Sequence, residues 1–564
     1  MNEKRQQILS YLAVIGRGAP FVLLAVFLLL ALGHGLETVA GISWTNNFDS
    51  LRDVGGAHSI LAGSYPEDPG YTGETLWYNP LISALVAGAS WLFSLDPMDA
   101  DIRLGPWLAL AAPLAFFVFM AVTFDRWTAL AAAAWLIFGK TPDQPIWTAA
   151  TYSPWLLAGN FTQSLFWGCL TAYVMSRRRP GKGWPVAVGI LWGLAFLGHT
   201  APALVIGIVL LGMTCLDLWT WRRGSRERKT LWPLLGRFAL PTGIAFALSL
   251  PYTYPIWAAY GFHIRNPWPT WYVDPFISLE RLPAFLWECC SITTVLAAVG
   301  LGALLLRRET REEAKLVTLA LGVSMFLLAY CYVWQAVAAS GANLPHLVPG
   351  HHSLLFLYAV KAVLFGYGSV YLVMAVTNRF SGKMGGPRID GRVRQAMAGL
   401  LIAIAVLAVH YPKFRTWPDF TFTHDRASYE GLYGDARATY DWVASNTNPD
   451  DVFLCEWDLA VRLVAPAGRK LVANMIWYSN IYVDFQERVG EKDTLFKAIR
   501  ARDEAAFKPL AAKRDVRYVL AQKRAALSKP DGLEPCIEDL DAAAWPPLSP
   551  VFQAGRYAIY RVVY

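Results

Sequence analysis

Charged residues are scarce in this chain of 564 residues. Only 16% are Asp, Glu, Lys or Arg, against roughly 25% in an average soluble protein. That scarcity excludes a disordered chain, a coiled coil and an ordinary cytosolic enzyme. Seven cysteines in such a length exclude a disulfide-rich secreted scaffold. No low-complexity tract is present, and no internal repeat of the kind found in inverted-repeat transporters. What is abundant is apolar: 55% hydrophobic residues, with 24 Trp, 25 Tyr and 29 Phe, and a mean hydropathy of +0.33. The chain reads as a polytopic α-helical membrane protein. The net charge of +8 does not point to nucleic acid, because the basic residues sit in short clusters between apolar runs.

A bilayer core takes about 20 mostly apolar residues per helix. Eleven runs are candidates, near 20–36, 104–123, 127–139, 157–175, 184–198, 200–219, 231–250, 284–305, 316–338, 353–376 and 396–410. Lys4, Arg5 and Arg17 precede the first, and no A-x-A cleavage site follows it, so it reads as an uncleaved span. Four basic clusters lie in alternate connections: Arg177–Lys182, Arg222–Lys229, Arg307–Lys315 and Arg379–Arg394. The positive-inside rule places all four, and the N-terminus, in the cytoplasm. The remaining apolar stretch, Leu81–Leu95, is short; if it crossed, every later cluster would face outward. It is therefore expected to dip into the outer leaflet and return. The expected location is the plasma (inner) membrane, with the C-terminus on the periplasmic side.

This divides the chain into a membrane domain, 1–410, whose outer loop 37–103 carries the candidate site, and a periplasmic domain, 411–564. In the latter, Asp435–Ser445 reads as a helix and Val452–Glu456, Lys470–Met475, Val516–Ala521 and Tyr557–Val563 as strands, an α/β pattern. It contains no phosphate loop, metal-ligand spacing or nucleophile motif. Cys455 and Cys536 fall in this outer region, where a disulfide can form; the other cysteines fall in or beside spans.

Chemistry is suggested first at Asp49-Ser-Leu-Arg52-Asp53, just beyond the first span. Helical spacing puts Asp49, Arg52 and Asp53 on one face. A carboxylate there can take a proton from an incoming hydroxyl, and a guanidinium one turn away can hold a phosphate with paired N–H donors. The bland alternative is a surface ion pair or a helix cap. Further on come Leu61-Ala-Gly63, then Gly73-Glu74-Thr-Leu-Trp77-Tyr78-Asn79-Pro80-Leu81 and an apolar helix.

This arrangement resembles the first periplasmic loop of the GT-C superfamily of polyprenyl-phosphate-sugar-dependent glycosyltransferases, in particular the aminoarabinose transferases and protein O-mannosyltransferases. Those proteins carry an acidic residue soon after the first span, an arginine three residues on, and a Pro-Leu helix entering the membrane. The layout of the whole chain is similar too. The resemblance implies a GT-C-like fold of about 11 spans with a periplasmic α/β domain. It implies Asp49 as the catalytic base, with Asp53 as a further catalytic candidate, and Arg52 as a donor-phosphate contact. The aminoarabinose transferases have Glu-Lys-Pro-Pro before the apolar helix; here stands Trp77-Tyr78-Asn79-Pro80, and Glu74 is the acid that could substitute. Where members often place an Asp in the second outer loop, this chain has Gly159-Asn160-Phe161-Thr162-Gln163, with Asp143 further back. A divalent cation, used by some members, is the one cofactor brought into consideration.

Arg265, His351 and His352 lie in or beside outer loops and are further candidates for a lipid phosphate. His199, near a span end, is weaker. The many outer Trp and Tyr residues read mostly as interfacial anchors, though a few could stack on sugar rings. The expected function is transfer of a sugar from a polyprenyl-phosphate carrier to a hydroxyl on a glycan, lipid or protein acceptor, with membrane lipids, not nucleic acid, as surroundings. The alternative is a transporter or flippase for a lipid-linked glycan. Against it stands the sparseness of charge in the spans, where Arg237 and Lys361 are the main exceptions.

Overall fold

The computed structural model describes all residues except 1, 46, 142–143, 150, 180, 224–227, 343, 347, 384–389, 418–425, 527–532 and 542–544. Asp143, Arg226 and Arg388 therefore lie outside the described residues. The chain forms two compact units. The first comprises Met1–Thr38, Pro106–Ser249 and Val273–Thr421; the second comprises Val39–Gly105, Leu250–Tyr272 and Phe422–Tyr564.

Seven helices among the described residues are long and apolar enough to cross a membrane: Gly18–Val39, Pro97–Thr123, Thr200–Arg223, Leu234–Tyr260, Arg311–Ala339, His351–Arg379 and Gly391–Arg415. The expected span 284–305 is not one straight helix. Leu279–Cys289 and Ile292–Leu306 meet at 74°, and the Ser291 side chain accepts from Thr294 N–H to cap the start of the second helix. Other expected spans form helices that fall short on length or polarity. Arg126–Phe138 has 13 residues and Gly183–Gly198 has 16, about 20 and 24 Å at 1.5 Å per residue. Ala158–Arg178 is long enough but buries Asn160, Thr162 and Gln163. Leu81–Phe93 is also a 13-residue helix, too short to traverse a hydrocarbon core of about 30 Å.

Within the first unit, small residues let helices approach closely. Gly300 of Ile292–Leu306 faces Gly368 of His351–Lys383; a Cβ on either would overlap backbone of the other helix. Around this seam packs an aromatic core, with Trp167 edge-on to Phe116 at 5.1 Å and tilted against Phe119 at 4.8 Å.

The second unit contains a five-stranded sheet: β1 (Val452–Leu454), β2 (Lys470–Leu471), β3 (Val516–Gln522), β4 (Leu548–Ala554) and β5 (Tyr557–Val562), in the order β2-β1-β3-β5-β4. β1 pairs parallel with β2 and β3, while β5 runs antiparallel to β3 and β4. The four expected strands are present. β4 is the one the sequence hides: it carries Pro550 and is mostly exposed, which an edge strand tolerates and a central one does not. Helices Arg426–Asn446, Phe485–Ala501 and Glu504–Lys513 complete the α/β unit. Cys455 and Cys536 are buried and free, so the expected disulfide is absent. The Cys536 thiol instead donates to Asp539 Oδ2 at 2.9 Å.

Candidate active site

The site grows from the helix Phe48–Leu61. Asn47 caps it, its side-chain oxygen accepting from the N–H groups of Asp49 and Ser50. Asp49 thus sits in the first turn, where a negative charge is favoured by the helix dipole. Arg52 and Asp53 follow one turn later. Arg52 Nη1 donates to Asp49 Oδ1 at 2.9 Å, while Nε and Nη2 donate to the two oxygens of Asp53, each at 3.1 Å.

The three side chains are not equivalent. Asp53 is 1% exposed and Arg52 14%, but Asp49 is 47% exposed. Burial pushes the Asp53 carboxyl up to about 6, although Arg52 pulls the other way. Burial also opposes the charge on Arg52, but Asp53, Tyr78 and Asp49 more than offset it, and the guanidinium holds its proton more tightly than usual. The buried Asp53 is therefore an anchor for Arg52, and Asp49 is the carboxylate that solvent can reach.

Two tyrosines complete the clamp. The guanidinium carbon lies 3.5 Å from the centre of the Tyr78 ring and 6.0 Å from that of Tyr478. The Tyr478 hydroxyl donates to Asp49 Oδ1 at 3.4 Å. Tyr78 stands in the stretch that departs from the aminoarabinose-transferase pattern. Tyr478 lies 429 residues from Asp49, and nothing in the sequence signals it.

A small recess opens beside Arg52 and Asp53, lined among others by Asp68, Tyr71, Tyr78, Asn79, Asn474, Tyr478 and Asn480. Asp68, absent from the sequence-based candidates, organises its wall. Its carboxylate accepts from the N–H groups of Gly70 and Tyr71 at 2.7 and 3.1 Å and from Asn480 Nδ2 at 2.7 Å. Burial nevertheless raises its carboxyl to about 6, against those hydrogen bonds.

The helix is held from behind. His58 Nε2 lies 2.7 Å from the Tyr440 hydroxyl, which donates to Asp96 at 3.0 Å. Burial, helped by Arg469, lowers His58 to about 4, so it is neutral at physiological pH. Gly55 lets the helix touch the segment after β1: a Cβ there would overlap the carbonyl of Ala465.

The other sequence candidates make none of the clamp's hydrogen bonds. Glu74 faces Arg488 Nη2 at 3.3 Å and accepts from the Tyr260 hydroxyl at 2.8 Å; it does not line the recess. Arg265 is exposed on the loop after Tyr260 and is fixed through its backbone N–H to the Ile481 carbonyl at 2.9 Å. His351 and His352 belong to the first unit, with ring centres 3.9 Å apart, and His199 lies 4.3 Å from His352. Among the described residues, no group of three or more His, Cys, Asp or Glu side chains is arranged to hold a metal ion.

These features define a polytopic α-helical protein with an α/β unit that carries an Asp-Arg-Asp clamp. No family model and no curated protein matches the sequence. Solved structures do. ArnT from Cupriavidus metallidurans in the apo state superposes with a TM-score of 0.52 over 96% of this chain and 97% of its own, at 14% identity. The same protein bound to undecaprenyl phosphate gives 0.52 over 96% and 98%, at 12% identity. The Archaeoglobus fulgidus oligosaccharyltransferase tethered to an acceptor peptide gives 0.51 over 91% and 70%, at 16% identity. At such identities the likeness establishes the fold.

Proposed function

We propose that the chain is an integral-membrane glycosyltransferase that moves a sugar from a polyprenyl-phosphate carrier to an acceptor hydroxyl at the outer face of the plasma membrane. The observation that carries this reading is the division of labour in the clamp. One carboxylate is buried and fixes the arginine, and the other is open to solvent on the same helix face.

In this reading Asp49 takes the proton from the acceptor hydroxyl. The freed oxygen attacks the anomeric carbon, the bond to the phosphate oxygen breaks with its electron pair, and the configuration inverts. Arg52 offsets the charge that grows on the departing lipid phosphate. Asp53 and Tyr78 keep the guanidinium aimed. Arg265 is proposed as a further contact for the lipid phosphate, and His351 and His352 are each proposed as phosphate-binding side chains of the first unit. Glu74 is assigned to structure, since its oxygens are engaged with Arg488 and Tyr260. No step is routed through a cation.

Structural likeness to a protein bound to undecaprenyl phosphate supports a lipid carrier. The test is release of sugar from purified polyprenyl-phosphate sugars by the full-length protein. Asp49→Asn should lower transfer by roughly 10²–10⁴-fold with folding intact. Arg52→Lys should also impair it, because lysine keeps the charge but loses the fork that grips Asp53. Wild-type transfer in Asp49→Asn refutes the assignment of the base.

A further inference from the structure

The aromatic residues outside the clamp form two populations. Tyr254 and Trp257 lie on the candidate span Leu234–Tyr260 and are 61% and 57% exposed, as interfacial anchors are. Trp268, Trp271 and Trp477 do not lie on spans. The first two sit on the loop after Tyr260, and the third on the 3₁₀ turn Ile476–Tyr478 of the α/β unit. Each is about two-fifths exposed, at 41%, 41% and 37%.

These indoles converge although more than 200 residues separate them in sequence. Trp268 lies 5.8 Å from Trp271 and 6.4 Å from Trp477, and Tyr272 lies 5.4 Å from Trp477, all edge-to-face. The backbone N–H groups of Arg265 and Asn266 both donate to the Ile481 carbonyl at 2.9 Å. The loop and the turn are thus tied together, and the ring faces are presented from a fixed backbone. Fixed, half-exposed aromatic faces bind flat ligands with apolar C–H faces at little entropic cost. Saccharide rings have such faces, with hydroxyls at their rims.

Two further observations favour a saccharide over acyl chains. Trp477 is followed directly by Tyr478, whose hydroxyl reaches Asp49. Successive Cα atoms are about 3.8 Å apart, so the aromatic patch and the clamp are joined through this one peptide link. The same loop buries the amide of Asn266, which meets no partner among the described residues. A buried unpaired amide is unfavourable, and a hydroxyl-bearing ligand relieves it where a hydrocarbon does not.

We infer that Trp268, Trp271 and Trp477 form the acceptor subsite, and that the acceptor is a carbohydrate chain rather than a bare lipid. This rests on the glycosyltransferase reading only for the word acceptor; the glycan-binding site stands or falls by itself.

The experiment uses the full-length protein in nanodiscs, carrying Asp49→Asn so that no turnover occurs, on an array of bacterial cell-surface oligosaccharides. Retention of at least one glycan series is expected. Trp477→Ala and Trp268→Ala should each weaken it by roughly 10-fold or more, while Trp477→Phe, which keeps a ring, should stay within about threefold. Thermal unfolding of each variant controls for folding. The inference is overturned if no glycan on the array is retained, or if both alanine variants bind as their parent does. It is also overturned if brominated lipids quench the fluorescence that Trp477→Ala removes, which makes the patch a membrane anchor. If glycans bind but the wild-type protein consumes no polyprenyl-phosphate sugar, the transferase reading fails and the glycan site remains.

Discussion

Replacing Asp53 by Asn tests the physics of the clamp. Removing one partner of a buried ion pair ordinarily costs 3–5 kcal/mol, because the other charge is left unpaired. Here the geometry argues for the opposite sign. Arg52 keeps Asp49 at 2.9 Å, and the Asp53 carboxyl titrates near 6 even with the arginine beside it. Burial outweighs the attraction. Because the folded value lies above the unfolded one near 3.9, the folded state holds the proton more tightly. The stability linked to Asp53 is complete below about pH 4 and is lost as pH rises through 6. A shift of about two units corresponds to ~3 kcal/mol at neutral pH. The amide gives back part of this, about 1 kcal/mol, since its NH₂ faces a guanidinium donor. Asp53→Asn should therefore stabilise the full-length protein at pH 7.5 by roughly 1–2 kcal/mol, an increase in Tm of a few degrees. That gain should shrink toward zero at pH 4.5. Transfer should nevertheless fall, because Arg52 loses its two-point anchor; a site that trades stability for function behaves this way. Thermal unfolding in detergent at the two pH values, beside the transfer assay, reads all three. A Tm below wild type at pH 7.5, or a gap that grows as pH falls, would refute the reasoning.

Glu74→Gln should lower stability by about 1–3 kcal/mol, because Arg488 is 7% exposed and loses its carboxylate partner; transfer per folded molecule should hold, and a loss like that of Asp49→Asn would return Glu74 to the catalytic group. Gly55→Ala should displace the helix Phe48–Leu61 from the carbonyl of Ala465, seen as loss of transfer together with a lower Tm; an unchanged Tm would contradict the close approach. Reductant should change neither the mobility nor the Tm of the purified protein, since Cys455 and Cys536 are free; a shift on non-reducing gels would speak for a bond.

By itself the sequence determined the elements whose signal is local. Apolar runs and scarce charge gave the helical membrane protein, because a bilayer demands long internally bonded helices. Alternating β-branched and aromatic residues gave four of the five strands, and only β4 stayed hidden, since an edge strand has no buried face to write into its pattern. The i, i+3 and i+4 spacing of Asp49, Arg52 and Asp53 gave their shared helix face. Tertiary structure alone decided what these residues can do. Which carboxylate is buried depends on what packs over it, so the distinction between Asp49 and Asp53 is absent from the spacing. Tyr478 joins the site across hundreds of residues, and so does Asn480, which Asp68 holds, a proximity that chain folding creates and no local pattern records. Glu74 looked like a spare acid until Arg488 and Tyr260 were found engaging it. The break at Ser291 is a local cap that average hydropathy cannot register, and Cys455 and Cys536 are free, with Cys536 donating to Asp539.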